Sequence, residues 1–170
     1  YGLHGKCLIT SIETKNLPMG PVSFYQIKSL KNTGLGRAAI NPKDPSILIP
    51  VENAREKGLR PLVGREEAES ILKLLESGAD DFEAKVTWIT KQKILEDTIR
   101  KEGAIGLARV VAHLYVIIKR DPVPPTIVLK YYDSVYRILS RELSETLGIA
   151  PKLLEPTIQK ALKNRLAQEN

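Results

Sequence analysis

The chain has 170 residues, of which 42% are hydrophobic, so it is long enough for one or two small domains with real cores. Its 26 lysines and arginines exceed its 20 acidic residues, and the net charge of +6 is compatible with an anionic partner. Residues 1–81 carry 11 basic and 10 acidic residues, whereas residues 82–170 carry 15 and 10, so most of the positive charge lies in the second part. The single cysteine, Cys7, excludes an internal disulfide and fits a reducing cytoplasm.

No stretch of the sequence predicts a membrane span. The longest apolar run, residues 110–118, is interrupted by His113 and is far shorter than the roughly 20 residues that a span needs. We therefore expect a buried helix at this position. No secretory or transit pattern is visible in a chain that begins at Tyr1.

The first third of the sequence predicts a small β domain. Residues 6–13 (KCLITSIE) and 22–28 (VSFYQIK) are short and rich in β-branched and aromatic residues, and the turn-forming LPMGP lies between them. This pattern is typical of a β-hairpin. A third strand is expected at 47–51 (ILIPV), after the turn-rich segment NPKDPS.

After GLRPLVG the hydrophobic period changes from about two to about 3.6 residues, which is typical of helices. The breaks between the predicted helices are marked by Gly103, by the segment DPVPP, and by Gly148 with Pro151. The predicted helices span residues 65–77, 86–101, 104–120, 126–147 and 152–168. We therefore expect an α+β chain, with a small antiparallel β domain at 1–63 and an all-α helical-bundle domain at 64–170.

Several patterns that could indicate an enzyme are weak. TGLGRAA at 33–39 fits the short form of a dinucleotide-binding loop, but Pro42 would stop the helix that such a loop must open, so a turn is favoured. His4 and His113 lack the neighbouring ligands of metal sites, and Cys7 lies in a predicted strand without an activating base. The sequence therefore predicts no catalytic residue, no metal site and no cofactor.

Basic side chains follow the predicted helices of the second part of the chain. A cationic surface with this spacing can neutralise several phosphates, which makes affinity for nucleic acid depend on salt. Charge alone slightly favours the simpler interpretation of a solvated helix face. The basic residues concerned are Lys85, Lys91, Lys93, Arg100, Lys101, Arg109, Lys119, Arg120, Arg137 and Arg141.

Trp88, the only tryptophan, lies at the start of one of these cationic helices. On a helical wheel it falls in line with Leu95 and Ile99, so the spacing alone favours packing in the core. The alternative is that the flat apolar ring projects from the helix end and inserts between base steps in the minor groove of DNA.

Several segments occur in an order that is typical of one family. YGLHGKCLITSIET is followed by ILIPVENAREKGLRPLV, then by WITKQK, ARVVAHLY and ILSRELSETLG. Together they resemble the CarD/CdnL transcription regulators, which have a V-P-x-E-N-A segment followed by G-L-R-x-L at this spacing. The resemblance covers about residues 1–148, and the family's L-S-x-x-E-K signature is absent from this chain.

The resemblance implies a bacterial RNA polymerase-binding protein rather than an enzyme. It implies a Tudor-like β domain that binds the polymerase β subunit, through Glu13, Lys15, Leu48, Ile49 and Pro50. The helical domain would contact promoter DNA at the upstream edge of the melted bubble, without strong sequence preference, and stabilise the open complex. The residues implied in DNA binding are Trp88, Thr90, Lys91 and Lys93.

With the resemblance included, Trp88 is expected to be the minor-groove wedge and to be exposed in the free protein. Leu48 and Thr90 stand where the family often has basic residues. The implied protein is a monomer in the cytoplasm, associated with the nucleoid through RNA polymerase. Two alternatives stay open, namely a polymerase adaptor that lacks DNA contact and a polymerase-binding fragment of a transcription-repair coupling factor.

Overall fold

The computed structural model describes residues 1–32, 38–40, 44–77, 82 and 86–168. Most of the glycine-rich segment at 33–39 and the predicted basic residue Lys85 therefore lie outside the described residues. The chain divides into two compact units, Tyr1–Arg60 and Pro61–Asn170. Within the described part of the chain, none of the helices combines the length and the apolar character needed to cross a membrane.

The first unit contains an antiparallel sheet of three strands in the order β1-β2-β5, and a separate short pair, β3-β4. A two-residue turn at Pro18 and Met19 joins β1 to β2, so the predicted hairpin is confirmed, although β1 extends further than expected. The third predicted strand is also confirmed, as β5. The strand bounds are β1 Cys7–Leu17, β2 Gly20–Ser29, β3 Lys31–Asn32, β4 Ala38–Ala39 and β5 Ile47–Pro50.

The core of the β unit is small. Among the described residues, Ile27, Ile49 and Ala54 form its buried hydrophobic cluster. Partly buried side chains pack against that cluster from the strands and the segments around them, and they are Tyr1, Cys7, Tyr25, Ile47 and Leu59. Because side chains alternate between the two faces of a strand, this cluster occupies one face of the sheet.

A bulge changes the register of β1. The pairing with β2 shifts between Ile9 and Ser11, which leaves Thr10 as the extra residue. The Thr10 hydroxyl donates to the Gln26 carbonyl oxygen at 3.0 Å, so the irregular position is held by a hydrogen bond. Each residue of β1 after the bulge therefore faces the side opposite to the one that unbroken alternation would give.

The second unit is a domain of five helices, which confirms the α+β architecture expected from the sequence. The apolar α3 lies against the other four helices. Ten of its residues are buried, including Leu107, Val111 and Leu114. The helix bounds are α1 Arg65–Ser77, α2 Trp88–Glu102, α3 Ala104–Arg120, α4 Thr126–Leu147 and α5 Pro151–Gln168.

Helices α2 and α3 meet at a tight corner. Gly103 adopts a positive φ of 65° between them, and its N–H donates to the Ile99 carbonyl oxygen at 2.9 Å. Gly106 lies in the first turn of α3, where a Cβ would stand 2.5 Å from the carbonyl oxygen of Thr98. The two backbones touch at this point, which only glycine allows.

Replacing Gly106 tests this close approach. We expect Gly106→Ala to lower the free energy of unfolding by about 1–2 kcal/mol, because the added carbon separates α2 from α3. This cost outweighs the gain of about 1 kcal/mol in helix propensity. Urea unfolding measures it, with Asp133→Ala at an exposed position of α4 as the control. Unchanged stability of Gly106→Ala would show that the two backbones do not meet so closely.

Candidate protein and nucleic-acid interfaces

Strand β1 is an edge of the sheet and carries apolar side chains on both faces. Within the described residues it pairs with β2 alone, so its other backbone edge is free to receive a partner strand. The register places Leu8 and Leu17 on one face and Ile9 and Ile12 on the other. All four are exposed, and Ile12 reaches 62%. A long edge strand with uncovered aliphatic residues is typical of a site for strand addition.

Four of the five predicted polymerase-binding residues share one face of the sheet. Glu13 and Pro50 both lie beside Phe24 of the central strand. Lys15 pairs with Val22 and Leu48 pairs with Gln26, so both project to the same face. The structure therefore brings Glu13, Lys15, Leu48 and Pro50 together on the face opposite the small core.

Ile49 lies apart from the other four. It pairs with Tyr25 on the core face and is only 2% exposed. Its side chain is buried within the β unit, so only its backbone, on the edge of β5, can contact a partner. The alternation of β5 settles this, because neighbours in a strand face opposite sides.

Two apolar residues of this face are absent from the sequence-based set. Phe24 and Val22 lie on the central strand, between the predicted residues of β1 and β5. Both are partly exposed, and neither belongs to the core cluster. Whether Phe24 and Val22 lie beside Glu13 and Lys15 depends on the register of β1 after its bulge. The residue patterns of β1 and β5 alone do not reveal that register. The candidate protein interface thus has an apolar centre with Glu13 and Lys15 at one side.

The start of α2 is fixed by its cap. Thr87 is the N-cap residue, and its hydroxyl oxygen accepts a hydrogen bond from the Thr90 backbone N–H at 3.4 Å. The hydroxyl groups of Thr87 and Thr90 lie 3.0 Å apart. Thr90, a predicted DNA-binding residue, is therefore exposed but engaged in this cap.

Trp88 is partly buried, so the expectation that it is exposed in the free protein is not met. Its ring packs against the hydrophobic core and meets Tyr131 of α4 edge-on, with 5.7 Å between ring centroids. Leu95 and Ile99, its neighbours on the helical wheel, are buried in the same core. The indole N–H is enclosed without a hydrogen-bond partner. The structure therefore agrees better with the helical-wheel spacing, which favours packing of Trp88 in the core, than with a ring that projects from the helix end.

Lys91 and Lys93 project from different sides of α2. Two residues apart on a helix means about 200° of rotation, so the two side chains cannot share a face. Lys93 is exposed, whereas Lys91 is partly buried on the side of α3. There it lies near His113, whose pKa is lowered to about 4, first by burial and then by the positive charges of Lys91 and Arg165. Lys91 and Lys93 therefore do not form one continuous cationic surface.

Other members of the predicted basic surface interact within the protein. Arg109 donates to both carboxylate oxygens of Glu102, at 2.6 and 2.8 Å. Arg100 donates to Asp97 at 2.6 Å, which lowers the pKa of that carboxyl group through the hydrogen bond and the guanidinium charge. Lys119 lies over the ring of Tyr115. These contacts reduce the cationic surface below what the sequence indicates.

The remaining reactive side chains lie in ordinary packing environments. Cys7 is partly buried, and burial raises the pKa of its thiol, which lowers the fraction present as the nucleophilic thiolate. The imidazole of His113 packs against the ring of Phe82, with centroids 4.8 Å apart. In the described ranges, His, Cys, Asp and Glu side chains form no group of three that could hold a metal ion.

The chain matches no family model, and it matches no curated protein at a significant level. Its resemblance to the CarD/CdnL regulators therefore rests on the quoted segments alone.

Removing the Trp88 ring tests its packing. We expect Trp88→Ala to lower the free energy of unfolding by about 2–3 kcal/mol, somewhat less than a fully buried aromatic residue would cost. Trp88→Phe should cost less, since it keeps a ring against Tyr131 and removes the enclosed N–H. Urea unfolding gives these values.

The neighbouring Ile89 is 72% exposed, so Ile89→Ala is the control and should shift stability by no more than about 0.5 kcal/mol. Equal stability of all the variants would show that Trp88 is not packed.

Proposed function

We propose that this protein is a transcription regulator that binds the β subunit of RNA polymerase through its β unit and promoter DNA through its helical unit. By contacting DNA at the upstream edge of the bubble it stabilises the open complex. The observation that carries the proposal is the free, apolar edge of β1 beside the face that holds Glu13, Lys15, Leu48 and Pro50. Glu13, Lys15 and Pro50 lie in segments that resemble the polymerase-binding domain of the CarD/CdnL regulators, whereas Leu48 stands where that family often has a basic residue.

Strand addition at the sheet edge is the physical basis of the polymerase contact. Main-chain hydrogen bonds from a partner strand satisfy the open edge, and side chains on either face supply specificity. The added strand would also cover Leu8 and Ile12, which the β unit leaves exposed. Apolar burial of this kind supplies affinity, while Glu13 and Lys15 orient the partner by charge.

The contact with DNA does not need high affinity of its own. A β unit bound to polymerase holds the helical unit at high local concentration near promoter DNA, so a few phosphate contacts suffice. Lys93 and Lys101 are exposed on α2 and can supply them. Open-complex stabilisation requires only that the melted state is bound more tightly than the closed state.

Charge reversal at Lys15 tests the polymerase contact. Lys15 is exposed near the end of β1, so we expect Lys15→Glu to weaken binding to a β-subunit fragment at least about tenfold while the β unit stays folded. Pull-down and titration of the fragment measure the loss. Lys57→Glu, an equal charge change at an exposed position away from the strands, is the control. If both variants bound like the natural chain, Lys15 would not lie in the interface.

A polymerase adaptor without DNA contact is the second candidate. The packing of Trp88 and the internal ion pairs of Arg100 and Arg109 favour it, because they withdraw groups that would otherwise meet DNA. Promoter binding by the assembled complex at two salt concentrations separates the two functions. A DNA contact adds salt dependence to complex stability, whereas an adaptor adds none.

A polymerase-binding fragment of a transcription-repair coupling factor stays a third possibility, and the resemblance of the helical segments to stand-alone regulators argues against it.

A further inference from the structure

The hydrogen bonds of the sheet identify which backbone groups of β1 point to its outer edge. The Val51 N–H donates to the Ser23 carbonyl oxygen at 2.9 Å, so the backbone of Ser23 faces β5 rather than β1. Thr14 is paired with Ser23, and its own N–H and C=O therefore point away from β2. Because this direction alternates along a strand, the backbone groups of Ile12, Thr14 and Asn16 all point to the outer edge.

The side chains between these positions carry opposite charges. Glu13 and Lys15 project from the same face of β1, and Lys15 is exposed while Glu13 is partly buried. A strand with this order of charges is complementary to a reversed copy of itself. When two β1 strands run antiparallel and are centred on Thr14, Glu13 of each copy stands opposite Lys15 of the other.

We propose that β1 pairs in this way with β1 of a second copy of the chain, so that the protein forms a two-fold symmetric dimer. Thr14 then faces Thr14 of the second copy, and Ile12 faces Asn16 of the second copy. Each of these opposed pairs exchanges its main-chain hydrogen bonds across the outer edge. The Glu13–Lys15 pairs occupy the alternate positions, where opposed side chains approach each other most closely.

Charge selects this register over its neighbours. A shift of the two strands by a single residue would place backbone groups that point to the outer edge opposite groups that point to β2, so no ladder could form. The next shift in either direction restores the ladder but places Glu13 opposite Glu13, or Lys15 opposite Lys15. Like charges directly opposite each other destabilise a pair of strands. The register centred on Thr14 is therefore favoured.

The sheet also favours a closed dimer over an open chain of copies. The strand at the other edge, β5, has four residues and ends at Pro50, which has no N–H to donate, so it is a poor acceptor for β1 of another copy. Pairing of β1 with β1 is two-fold symmetric and closes on itself. It covers part of Ile12 and Leu17, which are exposed in the single chain, and the bulge at Thr10 limits its length.

The dimer uses the same edge as the polymerase contact. The family resemblance implies a monomer, and pairing along β1 adds a second state to it. An edge that is occupied by a second copy cannot receive a strand of the polymerase β subunit, so self-pairing would hold the protein in a form that does not bind polymerase. This consequence rests on the proposed function, whereas the dimer itself does not.

Sedimentation velocity over a range of protein concentrations tests the self-association. We expect Glu13→Lys and Lys15→Glu each to raise the dissociation constant of the dimer at least about tenfold, because symmetry turns both ion pairs into repulsions. The double variant that carries both changes restores the opposite charges and should return the constant to within about twofold of the natural value. Lys57→Glu, at an exposed position away from the strands, is the control and should leave it unchanged.

Cysteine cross-linking in a Cys7→Ser background tests the register. The Cα atoms of the opposed residues 13 and 15 would lie about 4.5 Å apart, which a disulfide can span. Glu13→Cys and Lys15→Cys should each fail to cross-link alone in a mild thiol oxidant, and should cross-link when they are mixed. The mixed dimer keeps one Glu13–Lys15 pair, so its formation is still favoured.

Cross-linking of either cysteine variant by itself would overturn this register. A natural chain that stays monomeric at every concentration, or a double charge variant that fails to recover, would overturn the dimer. Both results leave the proposed polymerase contact intact, because binding to the β-subunit fragment is measured separately. Loss of that binding in the natural chain, with self-association retained, would overturn the proposed function and leave the dimer.

Discussion

The burial of α3 is the constraint on which the helical unit depends. This helix is apolar around most of its circumference, and ten of its residues are buried among the other four helices. The close approach at Gly106 then fixes α2 against it. Since Leu95 and Ile99 must face that core, the rotation of α2 about its own axis is settled, and Trp88 follows them inward. The same rotation places Ile89 and Lys93 outward.

The β unit differs from the helical unit in that its buried hydrophobic cluster is small. In the part of the unit that the structure describes, three buried residues form the core, and aliphatic side chains on both faces of β1 are left uncovered within the sheet. A unit of about 60 residues buries a small share of its surface, so it gains stability from any partner that covers the rest. An edge strand with exposed apolar residues is a risk for aggregation unless a specific partner uses it. We regard the edge of β1 as such a site, which connects the weak core to the proposed polymerase contact.

Most of the fold could be predicted from sequence periodicity. The three strands of the main sheet and the five helices lie within a few residues of the expected positions, because glycine and proline mark the breaks and apolar periods mark the cores, whereas the short pair β3-β4 was not expected. The α3 segment is recognisable as a buried helix from its long apolar run, which only His113 interrupts. Gly103 marked the corner, but the contact between Gly106 and Thr98 depends on tertiary packing that the sequence does not reveal.

The candidate sites were less predictable. Family resemblance pointed to Ile49, whereas strand alternation buries it, and the bulge at Thr10 decides which β1 residues stand beside Phe24. The family resemblance implies an exposed ring at Trp88, whereas the packing of α2 turns this ring towards the core and leaves Ile89 exposed. The internal ion pair between Arg109 and Glu102, seven residues apart across the α2–α3 corner, could not be foreseen from the charge pattern.

Hydroxyl-radical footprinting of a polymerase–promoter open complex, with and without this protein, is the most direct test of a regulator that holds both polymerase and DNA. We expect the protein to add protection of the DNA backbone at the upstream edge of the bubble, and this protection should weaken as salt is raised. An identical footprint, obtained while the protein remains bound to polymerase, would contradict the DNA contact and leave an adaptor.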